Sequence, residues 1–159
     1  MNLKRLLAAA AASGTLLVAG LAAAAPAQAD ATYRIQNIAT HRCVDASAAY
    51  GLRAFDCNGS DYQAWPWDAL NNHWDNTSSL QNNATGDCLD DSAEHGLRAI
   101  ACNAGDYQSW NQRWNQGNDS GHFQWVNDKT GRCLDDSLEY GLRTLDCNNA
   151  PNQQFTFGR

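Results

Sequence analysis

An all-β chain with internal threefold symmetry is what the sequence predicts, and three observations carry that expectation. Three segments align without a gap when the chain is shifted by 45 residues: Asn37 to Trp65, Asn82 to Trp110 and Asn127 to Phe155. Asn37, Thr40, Cys43, Asp45, Ser47, Gly51, Leu52, Arg53, Cys57, Asn58 and Gln63 recur at the matching positions of both later copies. Apolar residues alternate over short stretches bounded by Asn, Gly and Ser, which is strand patterning with frequent turns. A unit of 45 residues is too small to bury a core alone, so the three must share one. Three copies of about four short strands predict a β-trefoil of about twelve; a three-bladed propeller competes, but propellers usually need more blades to close.

The chain begins with a segment to be read apart from the fold. Lys4 and Arg5 form a charged start, Leu6 to Ala25 is apolar and alanine-rich, and Ala27-Gln28-Ala29 has the small-x-small pattern of a signal-peptidase site. Residues 1–29 therefore read as a secretory signal peptide. A membrane anchor is the competing reading, but no basic stop-transfer flank follows, and the rest holds no apolar stretch near the ~18 residues a span requires. Residues 30–159 then form one secreted domain, not inserted in a membrane, with repeats at about 33–77, 78–122 and 123–159. The chain has 17 acidic and 11 basic residues, a formal charge of −6. That balance argues against a nucleic-acid partner, which needs a basic surface.

Export also reads the six cysteines as three disulfides. Cys43, Cys88 and Cys133 are 45 residues apart, as are Cys57, Cys102 and Cys147. Symmetry favours Cys43–Cys57, Cys88–Cys102 and Cys133–Cys147, each closing a short loop across a turn at Gly51, Gly96 or Gly141. A loop of that size contributes roughly 3 kcal/mol by restricting the unfolded chain. Pairings between neighbouring repeats also obey the symmetry, but they close longer loops.

Within each repeat, Tyr33 and Ile35, with Leu80, Phe123 and Trp125, mark the first strands. In Leu52-Arg53-Ala54-Phe55, alternation puts leucine and alanine on one face and arginine and phenylalanine on the other. With Leu52 inward, Arg53 and Phe55 point outward together. Trp65 and Trp110 read as core. Gln63, Gln108 and Gln153, near those aromatics, read as satisfying backbone groups at irregular turns. Trp67, Trp74 and Trp114 do not repeat cleanly and read as packing over the barrel ends or as an accessory contact. Asp90-Asp91-Ser92 and Asp135-Asp136-Ser137 lack EF-hand spacing and read as solvated acidic loops.

The elements C-x-D, C-N and Q-x-W at fixed spacing resemble the ricin-type lectin repeat, the Q-x-W family of β-trefoils. Gln63-Ala64-Trp65 and Gln108-Ser109-Trp110 match the last element, and Gln153-Gln154-Phe155 departs from it conservatively. Within that family the chain is similar to the actinohivin-like three-repeat lectins of high-mannose glycans. The resemblance implies three shallow sugar pockets, one per repeat. Asp45, Asp90 and Asp135 would accept from sugar hydroxyls, and Asn58, Asn103 and Asn148 would add an amide. Tyr62 and Tyr107 would line the pockets, where the third copy has Asn152. The chain departs from those lectins at Arg53, Arg98 and Arg143, which replace an aromatic, and its apolar floor varies as Phe55, Ile100 and Leu145.

The residue types suit neutral sugars. A carboxylate accepts strongly from hydroxyls, an amide both donates and accepts, and an apolar surface covers the C–H face of the ring. Structural roles stand beside each assignment. Arg53 can pair with Asp45 or Asp56 and tie strands together; Asp45 and Asn58 can be turn residues. Tyr50, His95 and Tyr140 can be a second stacking platform or solvated turn residues. No enzyme is expected, and no metal or cofactor: His41, His73, His95 and His122 form no ligand spacing, and no nucleophile elbow is present. Glycans or polysaccharides are the expected partners. A cell-wall polysaccharide module of the xylan- or galactan-binding type, ordinarily joined to a catalytic domain, and a trefoil protease inhibitor are the alternatives.

Overall fold

The computed structural model describes residues 33–66, 77–114 and 121–158. The expected signal peptide, Trp67 and Trp74 lie outside them. Eleven strands occur among the described residues. They are β1 (Arg34–Asn37), β2 (Arg42–Ser47) and β3 (Gly51–Asp56), then β4 (Thr77–Ser78), β5 (Asp87–Ser92), β6 (Gly96–Ala101) and β7 (Trp110–Trp114). The last are β8 (Phe123–Asn127), β9 (Cys133–Ser137), β10 (Gly141–Leu145) and β11 (Phe155–Gly158). About twelve were expected. The missing position, at Ala64 and Trp65, still bonds as its counterparts do. Trp65 N–H donates to the Tyr33 carbonyl at 2.9 Å, and Asn83 N–H to that of Ala64 at 2.9 Å.

Strands β4, β7, β8, β11 and β1 pair in that order, all antiparallel, as the barrel wall. Hairpins β2–β3, β5–β6 and β9–β10 share one register, and β3, β6 and β10 contact one another. Local chemistry fixes each hairpin. The Ser47 hydroxyl accepts from Tyr50 N–H at 3.1 Å, and Ser92 and Ser137 do the same for His95 and Tyr140. Gly51, Gly96 and Gly141 then take φ of +69°, +66° and +72°, a conformation other residues adopt only with strain. Those two needs explain why serine and glycine recur.

The core is built in threefold sets. Ile35, Leu80 and Trp125 form one, Val44, Leu89 and Leu134 a second, Trp65, Trp110 and Phe155 a third, all buried. Leu52, Leu97 and Leu142 pack against them from the hairpins. Each such side chain contributes about 1.5–3 kcal/mol on leaving water. Trp65 and Trp110 also donate indole N–H groups to the Val44 and Leu89 carbonyls at 2.9 Å. Trp114 is exposed and meets Phe123 edge-on at 5.3 Å. All three disulfides lie within repeats, Cys43–Cys57, Cys88–Cys102 and Cys133–Cys147, with Cα separations of 5.1, 5.0 and 5.0 Å.

Two polar devices join the repeats. The buried Asn37, Asn82 and Asn127 each accept two turn N–H groups on Oδ1. Their Nδ2 groups donate to the carbonyls of Asn152, Tyr62 and Tyr107 in the preceding repeat, at 2.6, 2.8 and 2.7 Å. The second device corrects an expectation. Asp91 and Asp136 are not solvated loop residues: they lie in strands β5 and β9, fully buried. Asp91 accepts from Arg132 at 3.0 and 2.5 Å, and Asp136 from Arg42 at 3.2 and 2.5 Å. Thr130 adds its hydroxyl to Asp91 at 2.6 Å, and Thr40 adds its own to Asp136. A buried carboxylate is tolerated because these partners satisfy it.

Candidate functional site

Each hairpin places an aspartate directly opposite an arginine: Asp45 opposite Arg53, Asp90 opposite Arg98, Asp135 opposite Arg143. Arginine Nε donates to aspartate Oδ1 at 3.1, 2.9 and 3.0 Å in the three copies. The aspartates are 2%, 2% and 3% exposed, whereas the arginine side chains keep 31%, 35% and 34%. The carboxylate is therefore covered by its arginine, and the guanidinium forms the outward polar surface. Of the two partners foreseen for Arg53, it takes Asp45.

The apolar platform lies against that guanidinium. Arg53 stacks on Phe55 at 4.2 Å and on Tyr50 at 4.5 Å, and Arg143 stacks on Tyr140 at 4.5 Å. Such contacts each contribute about 0.5–1 kcal/mol at exposed sites and hold the guanidinium plane. The second repeat has His95 and Ile100 at these positions. Phe55 and Leu145 are exposed and Ile100 is half-buried. A hydrogen bond with Glu139 raises the Tyr140 hydroxyl pKa, followed by a smaller desolvation effect, while Arg143 opposes both.

Beneath this surface, a buried glutamine ties the two ends of each loop. Gln63, Gln108 and Gln153 accept N–H from Asn58, Asn103 and Asn148 at 2.8 Å. Their Nε2 groups donate to the carbonyls of Asp56, Ala101 and Asp146 at 2.9, 3.1 and 3.0 Å. Gln63 Nε2 also lies 3.2 Å from Asp45 Oδ2, linking loop and ion pair. The structural role read for these glutamines is what they perform. Asn58, Asn103 and Asn148 are turn residues: each Oδ1 accepts N–H two residues on, at 3.0, 2.8 and 2.9 Å. The residues themselves remain exposed.

Tyr62 and Tyr107 are exposed at 43% and 40%. In the third copy, Asn152 donates to the Asp136 carbonyl at 2.6 Å, so this position serves the framework there. Leu145 and Asn148 share a cleft of about 420 Å³ with Arg132, Thr144 and Asp146. Thus Asp and Arg pair in every repeat, with the apolar residue two positions beyond the arginine on the same strand; Asn148 shares a cleft with Leu145, and Tyr62 and Tyr107 are exposed. Sequence reasoning missed Asn37, Asn82 and Asn127 as links between repeats, although their recurrence was the available signal.

The ricin-type beta-trefoil lectin domain matches residues 31–156. Among curated proteins, none aligns significantly with the chain. Solved structures share the fold. ThreeFoil, a designed threefold-symmetric protein, is 19% identical with a TM-score of 0.68, covering 80% of this chain and 97% of that one. SeviL bound to asialo-GM1 saccharide is 13% identical with a TM-score of 0.66, covering 80% and 96%. The exo-β-1,3-galactanase 1,3Gal43A from Clostridium thermocellum is 19% identical with a TM-score of 0.66, covering 81% of this chain and 30% of the enzyme. With its repeats, its within-repeat disulfides and this match, the chain belongs to the ricin-type β-trefoil lectin domain family.

Proposed function

We propose that this protein is a secreted, non-catalytic lectin that binds glycans through up to three shallow sites, one on each hairpin. The observation that carries the reading is the thrice-repeated Asp–Arg pair, at 2.9–3.1 Å, beside an exposed or half-buried apolar residue. A guanidinium fixed by a buried carboxylate offers outward N–H donors at little entropic cost, and it suits the oxygen-rich edge of a saccharide. Phe55, Ile100 and Leu145 supply the surface for the C–H face of the ring. Asp45, Asp90 and Asp135 then act chiefly by orienting the arginines, with Asn58, Asn103, Asn148, Tyr62 and Tyr107 at the rim. One site of this kind is weak, and three on a rigid frame raise avidity by about 10²–10⁴ for a multivalent glycan. Secretion is supported by the pattern of residues 1–29 and by the three disulfides.

A glycan array that includes high-mannose, galactosyl and xylosyl structures tests the proposal. Tyr62→Ala, Phe55→Ala, and Asp45→Asn with Asp90→Asn and Asp135→Asn, singly and together, should lower the signals, the triple variant most. A triple variant that keeps its circular dichroism and every glycan signal would falsify the assignment.

A further inference from the structure

Threefold symmetry breaks at one junction, and the break leaves a cleft. Between repeats two and three, Arg132 donates to both oxygens of Asp91 and to the Ser92 carbonyl at 3.1 Å. Between repeats three and one, Arg42 does the same with Asp136 and with the Ser137 carbonyl at 2.8 Å. Between repeats one and two, the corresponding positions hold Ala46 and Asp87. The buried acceptor and its guanidinium are both gone, and a carboxylate stands where the arginine is rooted. The threonine persists as Thr85, counterpart of Thr40 and Thr130.

These residues line a cleft of about 310 Å³ together with Ser47, Tyr62 and Ala99. It reaches the lower end of the range for small-molecule pockets. Asp87 is half-buried and has no ion-pair partner among the described residues. Tyr62 exposes its ring beside it. Ser47 occupies the place of Ser92 and Ser137, whose carbonyls receive the arginines elsewhere. The cleft also differs from the proposed glycan surface, because Ala46 and Asp45 are adjacent in β2 and face opposite ways.

We propose that this cleft binds a small organic cation, a ligand bearing a protonated amine or guanidinium, in the space that the chain's own arginine fills at the other two junctions. The Asp87 carboxylate supplies a charged acceptor, the Ser47 carbonyl a second, and the Tyr62 ring a face on which a cation rests. An amino sugar and an arginine-like side chain share this chemistry. The inference is independent of the three hairpin sites, with Tyr62 bordering both.

Two-dimensional ¹⁵N NMR on the folded protein, titrated separately with glucosamine, agmatine and glucose at pH 6, tests it. One or both cations should give saturable shifts at Ser47, Thr85, Asp87 and Ala99, which line the cleft and take no part in the hairpin sites, and glucose should give none there. A response to glucosamine alone identifies an amino sugar, and one to agmatine alone a guanidinium ligand. Asp87→Asn should weaken the response at least tenfold. Ala46→Asp with Asp87→Arg, which rebuilds the missing pair, should abolish it and raise Tm. The proposal is overturned by equal shifts with glucose, by no saturable shift with either cation, or by undiminished binding in Asp87→Asn.

Discussion

Arg132 of the third repeat grips Asp91 of the second through both carboxylate oxygens, at 3.0 and 2.5 Å, and the carboxylate is fully buried. Thr130 and Thr144 complete its shell at 2.6 and 2.7 Å. This ion pair is a joint between modules, formed by residues 41 positions apart.

Breaking that joint on one side leaves an unmatched charge. Asp91→Ala should cost about 3–5 kcal/mol in urea unfolding, the range for buried pairs that lose one partner. Adding Arg132→Asp copies the Ala46 and Asp87 arrangement of the first junction and should recover at least about 1 kcal/mol. Strictly additive losses would show that the pair is not coupled.

The glutamine bridge should matter in every repeat. Gln108→Ala leaves the Asn103 N–H and the Ala101 carbonyl without their partner and opens a small void. A loss of about 2–4 kcal/mol is expected from the range for unsatisfied buried groups. Gln108→Glu should also destabilise at neutral pH, because its carboxylate cannot donate to that carbonyl. Equal denaturation midpoints for wild type and both variants would contradict this.

Each disulfide closes its own loop, with partners 14 residues apart. Replacing Cys88 and Cys102 together by serine should therefore cost about 3 kcal/mol, and the same change in another repeat should add a similar amount. Calorimetry of the single and double bridge deletions reads this directly.

At Gly96, open space surrounds the position where a Cβ would sit, yet φ is +66°. Gly96→Ala should cost about 1–2 kcal/mol from backbone strain alone. Because no neighbour is displaced, the crystal structure of the variant should superpose on wild type around the turn. A shifted hairpin would point to a clash instead.

Lys129 donates to Asp106 at 3.1 Å on the surface, and that hydrogen bond, followed by the charge of Asp106, raises the lysine pKa above 10.5. The folded pKa being the higher, the contribution of the pair is complete below the unfolded value and disappears as pH rises through the folded one. An NMR titration of the lysine side chain should show the midpoint falling in Asp106→Asn. An unchanged midpoint would remove the pair from the account.

The period, the sulfur pairing, the tryptophan core and the structural glutamines were legible because each depends on spacing within a single copy. Alternation within one strand likewise put Arg53 beside Phe55 on the outer face. Asp91 and Asp136 were misread because an aspartate before a serine looks like a turn, and its partner lies in another repeat. The needed signal was present: Asp at position 91 or 136 accompanies Arg132 or Arg42, while Ala46 accompanies Asp87. The burial of Asp45, Asp90 and Asp135 under their arginines follows from cross-strand register, which composition does not disclose. Asn58 shows a further limit, since a turn asparagine and a ligand asparagine have the same local sequence.

Because every sulfur bridge stays inside one module, nothing covalent but the main chain holds one module to the next. A protease cut in a linker would leave the native assembly standing on its hydrogen bonds and buried charges. The same nicked molecule, denatured without reductant, would run as separate fragments on a gel.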